Sequence, residues 1–110
     1  MEERREHKRS IHYLNVIEQT TGKLIGRTGD IHHTGLSLVS ELEIPLLMDV
    51  YVWLEVPGEK EIKNRVPLVI NGTWNQMNRN PVFYNTGCWI VNPPRDAISA
   101  IEKLIEDLAP

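Results

Sequence analysis

The chain has a single cysteine, Cys88, in 110 residues, so no internal disulfide can form. No apolar run approaches the roughly twenty residues needed to span a bilayer. The amino end also lacks the apolar core of a secretory signal. Together these absences predict a cytoplasmic protein that is not inserted in a membrane. Positive charge is not in excess either. The formal balance is -3, which argues against nucleic acid polymers and anionic membranes as partners, because their binding rests on broad basic surfaces. No repeat or low-complexity linker divides the chain. Frames for catalysis are missing too: there are no paired carboxylates in a recognisable arrangement, no metal-ligand spacing, no phosphate-cradling glycine loop and no nucleophile motif. Cys88 has no local base to activate it. The expectation is a protein that is not an enzyme and has no catalytic cofactor and no metal.

What is present suits one domain, large enough to form a core without staples. Residues 1–10 are charged and without apolar period, which predicts a flexible arm. Residues 11–92 read as short strands. The run Ile11 to Ile17 and the run Lys23 to Ile31 flank a turn at Thr20-Thr21-Gly22, and Leu36 to Val39 forms a third strand. Val50, Val52, Leu54 and Val56 alternate with Tyr51, Trp53 and Glu55, the clearest strand in the sequence. Val66 to Trp74 and Val82 to Val91 follow, separated by the polar stretch Asn75 to Pro81, which is expected to be a hairpin loop. Over residues 94–108 the period changes. Ala97, Ile98, Ile101, Leu104, Ile105 and Leu108 share one helical face opposite Glu102, Lys103, Glu106 and Asp107. Six strands with one helix lack the crossovers of a parallel layer. The expected fold is mainly β, a six-stranded antiparallel barrel with one C-terminal helix. The apolar stripe of that helix must be buried on this barrel or on a second copy, which leaves a homodimer open.

Two clusters carry candidate chemistry. Arg4 to Arg9 hold four basic side chains and one acid, a local positive island able to steer a small dianion. Arg5 and Arg9, four apart, lie on one side of either a strand or a helical turn, with Cα atoms at most about 13 Å or about 6 Å apart respectively. Two guanidinium groups so placed can grip two phosphates, or one phosphate and a base. In the second cluster, Asp30-Ile31-His32-His33-Thr34-Gly35, Asp30 can accept from the N1-H and amino group of guanine. It also suits ordinary turn chemistry after Gly29. Gly35 permits either positive φ or close backbone approach to a ligand.

The order of Arg5, Arg9, Asp30 and Gly35 resembles the PilZ family, whose motif is RxxxR followed by D/N-x-S/A-x-x-G, and the strand and helix layout resembles it over nearly the whole chain. The resemblance implies a bacterial receptor for the second messenger cyclic di-GMP, with a downstream protein partner in motility or biofilm control. It assigns Arg5, Arg9, Asp30, His32 and Gly35 to the ligand. His32 stands where the family carries serine or alanine, so its ring is expected to stack on a base, bind phosphate when protonated, or obstruct the site. The last outcome would make the chain a PilZ-like interaction module that has lost the messenger, of the kind tied to type IV pilus assembly. Metal binding by His32 and His33 is disfavoured, because neighbours on a strand point to opposite faces. Trp89, in Gly87-Cys88-Trp89-Ile90, replaces an arginine common in the family's last strand. Trp74 is expected in the core.

Overall fold

The computed structural model describes residues 10–11, 13–57 and 63–108. They form seven strands, β1 (Ser10–Ile11), β2 (Asn15–Glu18), β3 (Leu24–His32), β4 (Gly35–Ser40), β5 (Asp49–Pro57), β6 (Lys63–Arg79) and β7 (Val82–Ile90), followed by the helix α1 (Arg95–Leu108). All strand pairings are antiparallel, and β3–β4 pairing closes the sheet into the ring β2-β3-β4-β7-β6-β5. Strand β1 is not a seventh member. It lies along β3 on the same side as β2, so β1 and β2 are two pieces of one interrupted first strand. At the interruption the backbone N-H of Thr28 donates to the Leu14 carbonyl (2.9 Å), while the fully buried Thr28 hydroxyl accepts from the Leu14 N-H (3.1 Å). A polar side chain inside the barrel thus replaces a missing ladder bond. The mainly β six-stranded barrel with one terminal helix is the architecture expected from the sequence.

The alternation read from β5 holds: Val52, Leu54 and Val56 are buried inside the ring, and Tyr51 is exposed. They meet Val16 of β2, Ile31 of β3, Leu36 and Leu38 of β4, and Leu68 and Ile70 of β6 in one apolar cluster. Helix α1 adds Ala97, Ile101, Leu104 and Ile105 to the same cluster and packs against β3 and β6. Its stripe is therefore buried on its own barrel. The turn at Gly22 also forms as expected. Gly22 adopts φ 74°, and its N-H donates to the Glu18 carbonyl at 2.8 Å.

Three expectations are corrected. Ser10, placed in the arm, is paired in β1 opposite Ile31. Asn75 to Arg79, read as loop, continue β6 and pair residue by residue with β7, so the turn is only Asn80 and Pro81. The stretch looks like loop because this end of the hairpin runs past the core and has no buried apolar face to impose alternation. Trp74, assigned to the core, is 50% exposed. The cause is a bulge: Gly72 pairs with Cys88 and Trp74 with Gly87, leaving Thr73 as an extra residue. Counting by twos from Leu68 and Ile70 puts residue 74 inside, and the extra residue turns it outward.

Candidate functional site

A second bulge lies on the neighbouring wall. In the β3–β4 ladder Thr28 pairs with Leu38 and Ile31 with Leu36, so three steps on β3 match two on β4. Thr28 and Ile31 both face inward and are fully buried, and the extra residue sends Asp30 and His32 to the outer surface. The backbone N-H of Asp30 donates to the Ser37 hydroxyl at 2.9 Å, which fixes the kink to β4. The two bulges thus turn Asp30 and His32 from one side, and Trp74 from the other, toward a shared strip of the barrel exterior.

Between them lies a groove of about 350 Å³, lined by Asp30, His32, Thr34, Gly35, Ser37, Thr73, Trp74, Gly87 and Trp89, with the buried Leu36 and Cys88 also contributing. Two glycines make its floor. At Gly35 an added Cβ would stand 2.7 Å from the Cys88 carbonyl oxygen, because Gly35 is paired with Trp89 on β7. Its φ is not positive. Of the two uses open to this glycine, close approach is the one seen, and the atom approached is the protein's own backbone. At Gly87 an added Cβ would run into Nε1 and Cε2 of the Trp74 indole, which lies directly over the bare glycine. Trp89, two residues along the same face of β7, is 47% exposed.

His32 sits at the mouth of the turn. Its Nδ1 is 2.8 Å from the Thr34 hydroxyl and 3.4 Å from the Thr34 N-H, an arrangement that suits Nδ1 as acceptor. Its Cε1 is 3.6 Å from where a Gly35 Cβ would be, so the ring leans over the glycine. Cys88 is buried, and burial pushes its thiol up to about 11. A thiol held protonated at neutral pH is a poor nucleophile. Among the described residues, no group of three histidine, cysteine or acidic side chains is placed to hold a metal ion. No helix among them is long and apolar enough to cross a membrane.

Of the residues singled out in the sequence, Asp30, His32 and Gly35 are brought together in the groove, whereas Arg5 and Arg9 lie outside the described residues. The chain nevertheless enters the described structure beside the groove, since Ser10, which follows Arg9, pairs with Ile31 between Asp30 and His32. Sequence reasoning missed Ser37, Gly87 and the outward face of Trp74. A glycine inside a strand pattern is the one signal that marked Gly87, because it often indicates close approach of another group.

Comparison with known proteins adds a likeness of fold. No family model and no curated protein sequence matches the chain. Among solved structures it is similar to the Bacillus subtilis inhibitor of motility MotI/DgrA, with a TM-score of 0.74 at 14% identity, over 96% of this chain. This chain spans about half of that one (51%).

Proposed function

We propose that the protein is a cyclic di-GMP receptor that converts nucleotide occupancy into a changed protein-interaction surface. The observation that carries this reading is the gathering of Asp30, His32 and Gly35 in one outward groove, with Ser10 paired at its edge. Arg9 is one peptide step from Ser10, about 3.8 Å between Cα atoms. Arg5 lies five residues before Ser10 in the chain, and this reading has both arginines meet an anion whose base occupies the groove. Asp30 accepts from the guanine edge, Gly35 keeps the floor low, and the arginines neutralise phosphate. Ordering the chain around the ligand costs conformational entropy, which the charge-assisted bonds must exceed, and so couples occupancy to a new surface. The fold likeness to an inhibitor of motility supports a place in motility control, and the resemblance of the sequence extends this reading to biofilm control and a downstream protein partner.

Calorimetric titration of the full chain with cyclic di-GMP tests this reading. Saturable binding is expected in the wild type. Arg5→Ala and Arg9→Ala should each weaken it roughly 10- to 100-fold, the worth of a hydrogen bond to a charged group, without changing the circular dichroism spectrum. Equal affinity in both variants would remove the mechanism. A second reading, an interaction module of the same fold that no longer takes the messenger, is favoured by one observation: the His32 ring, held by Thr34, leans over Gly35. It predicts no heat of binding from a folded wild-type protein, and recovery of binding in His32→Ser.

A further inference from the structure

Strand β6 is 17 residues long and outruns one of its two neighbours. β7 follows it to Arg79, whereas β5 covers the opposite edge only from Lys63 to Asn71. At Gly72 that edge receives one further contact, where Leu46 bridges to it and the Leu47 N-H donates to the Gly72 carbonyl at 2.8 Å. The chain then turns off the edge through Leu47, which adopts φ 61°. From Thr73 to Arg79, β6 is paired with β7 alone among the described residues. A strand with one open side aims a row of N-H and C=O groups past the sheet, a template for another strand.

Open edges are ordinarily guarded by charge or proline. Where the pairing of β5 with β2 ends at Leu54, the residues beyond include Glu55 and Pro57. The segment Trp74-Asn75-Gln76-Met77-Asn78 has neither device, and Gln76, Met77 and Asn78 are exposed. Its order also suits pairing with itself. In an antiparallel pairing centred on Gln76, that residue meets its own counterpart, Trp74 meets Asn78 and Asn75 meets Met77, so no like charges are opposed. Arg79 of the second copy shares a face with its Met77 and falls next beyond Asn75. Glu43 lies there, its carboxylate 3.4 Å from the Asn75 amide nitrogen, so opposite charges meet at both ends of the pairing. The hairpin tip of the second copy, with Val82 59% exposed, arrives where Leu47 and Met48 stand 79% and 55% exposed. Apolar side chains that one copy leaves in water are thereby brought together.

We infer that the open edge of β6 is a homodimer interface: two copies pair antiparallel about a two-fold axis at Gln76 and join their barrels into one continuous sheet. A two-fold pairing uses each open edge once, so it closes at two copies and does not grow into a fibre. It requires no ligand and stands apart from the receptor reading above.

Sedimentation of the full chain over a concentration series tests the interface. The wild type should approach twice the chain mass of 12.7 kDa. Gln76→Lys and Gln76→Glu each set like charges face to face on the axis and should weaken association roughly 10- to 100-fold, while an equimolar mixture of the two restores it. Gln76→Cys should cross-link on mild oxidation, because residues directly opposite stand about 4.5–5.5 Å apart at Cα, within the span of a disulfide. Asn78→Cys should not, since the two copies of that position lie four residues out of register, about 13 Å along the strand. The native Cys88 is buried and does not compete. Residues 76 and 78 are exposed, so the circular dichroism of these variants should match the wild type. A wild type that stays monomeric at every concentration overturns the dimer and leaves the edge to an extended segment of another protein. Undiminished association in both charge variants, a mixture that does not recover, or cross-linking of Asn78→Cys as ready as that of Gln76→Cys also overturns it.

Discussion

The β5–β6 wall and the groove wall of the barrel are made from strands of the same ring, yet they differ in regularity. From Asp49 opposite Asn71 to Pro57 opposite Lys63, β5 and β6 pair over nine consecutive positions without a break. Side chains alternate from Tyr51 to Val56 and from Arg65 to Ile70, and the outer surface is tied by Arg65 to Glu55 at 3.1 Å and by Asn15 to Glu55 at 3.1 Å. Across the barrel, β3 and the far half of β6 each carry a bulge, and two glycines leave the sheet bare. A regular ladder makes a wall with no concavity. Two interruptions and two missing side chains turn the same kind of sheet into a groove that presents a carboxylate, an imidazole and two indoles. Bulges re-aim side chains without unfolding the strand that holds them, and that combination gives a binding site its rigidity.

The contrast can be broken most forcefully at its regular end. Leu54, fully buried in β5, should lose about 2–5 kcal/mol of stability on substitution by alanine, read from chemical denaturation. Trp89→Ala in the groove should move stability far less while acting on ligand affinity. The next effect is a pH dependence beneath the groove floor. Cys88 ionises at 9.0 when unperturbed and at about 11 in the folded protein because burial disfavours the thiolate. Between those values the unfolded chain gives up its proton and the folded one keeps it. Stability is therefore intact below about pH 9 and falls as pH rises through 11, by on the order of 2–3 kcal/mol. Comparing the pH slope of Cys88→Ala with that of the wild type isolates this share, which should vanish in the variant.

Smaller still is the expected cost of filling the floor. Gly35→Ala places a methyl against the Cys88 carbonyl, which cannot move without the β7 ladder. It should cost about 1–3 kcal/mol and lower ligand affinity along with melting temperature. At the bottom of the order, Glu55→Gln on the regular wall should change stability by only about 0.2–1 kcal/mol, since its Arg65 partner is half exposed. An effect of Glu55→Gln as large as that of Gly35→Ala would mean that the outer network, and not the ladder, rigidifies that wall.

Legibility in the sequence followed the same division. The β5 strand, the stripe of α1 and the turn at Gly22 were readable, because each is set by a local period or a local backbone requirement. Asp30, His32 and Gly35 were readable as neighbours, and they line one groove, because they are separated by only a few residues. Trp74 was misplaced, since alternation counted from Leu68 and Ile70 is valid only while the ladder is unbroken. Asn75 to Arg79 were misread for the complementary reason: a strand that extends past the core shows no period at all.

The amino-acid order alone determined the barrel class, the terminal helix, and the presence of two clusters, Arg5 with Arg9 and Asp30 with Gly35, from which a ligand site is proposed. Only the tertiary structure decided which side of the sheet Asp30, His32 and Trp74 face, that Gly35 serves its own neighbouring backbone, and that Gly87 lies under an indole. The physical reason is that a bulge belongs to a pair of strands. It records a mismatch in residue count between partners far apart in the chain, which the local pattern of neither strand contains.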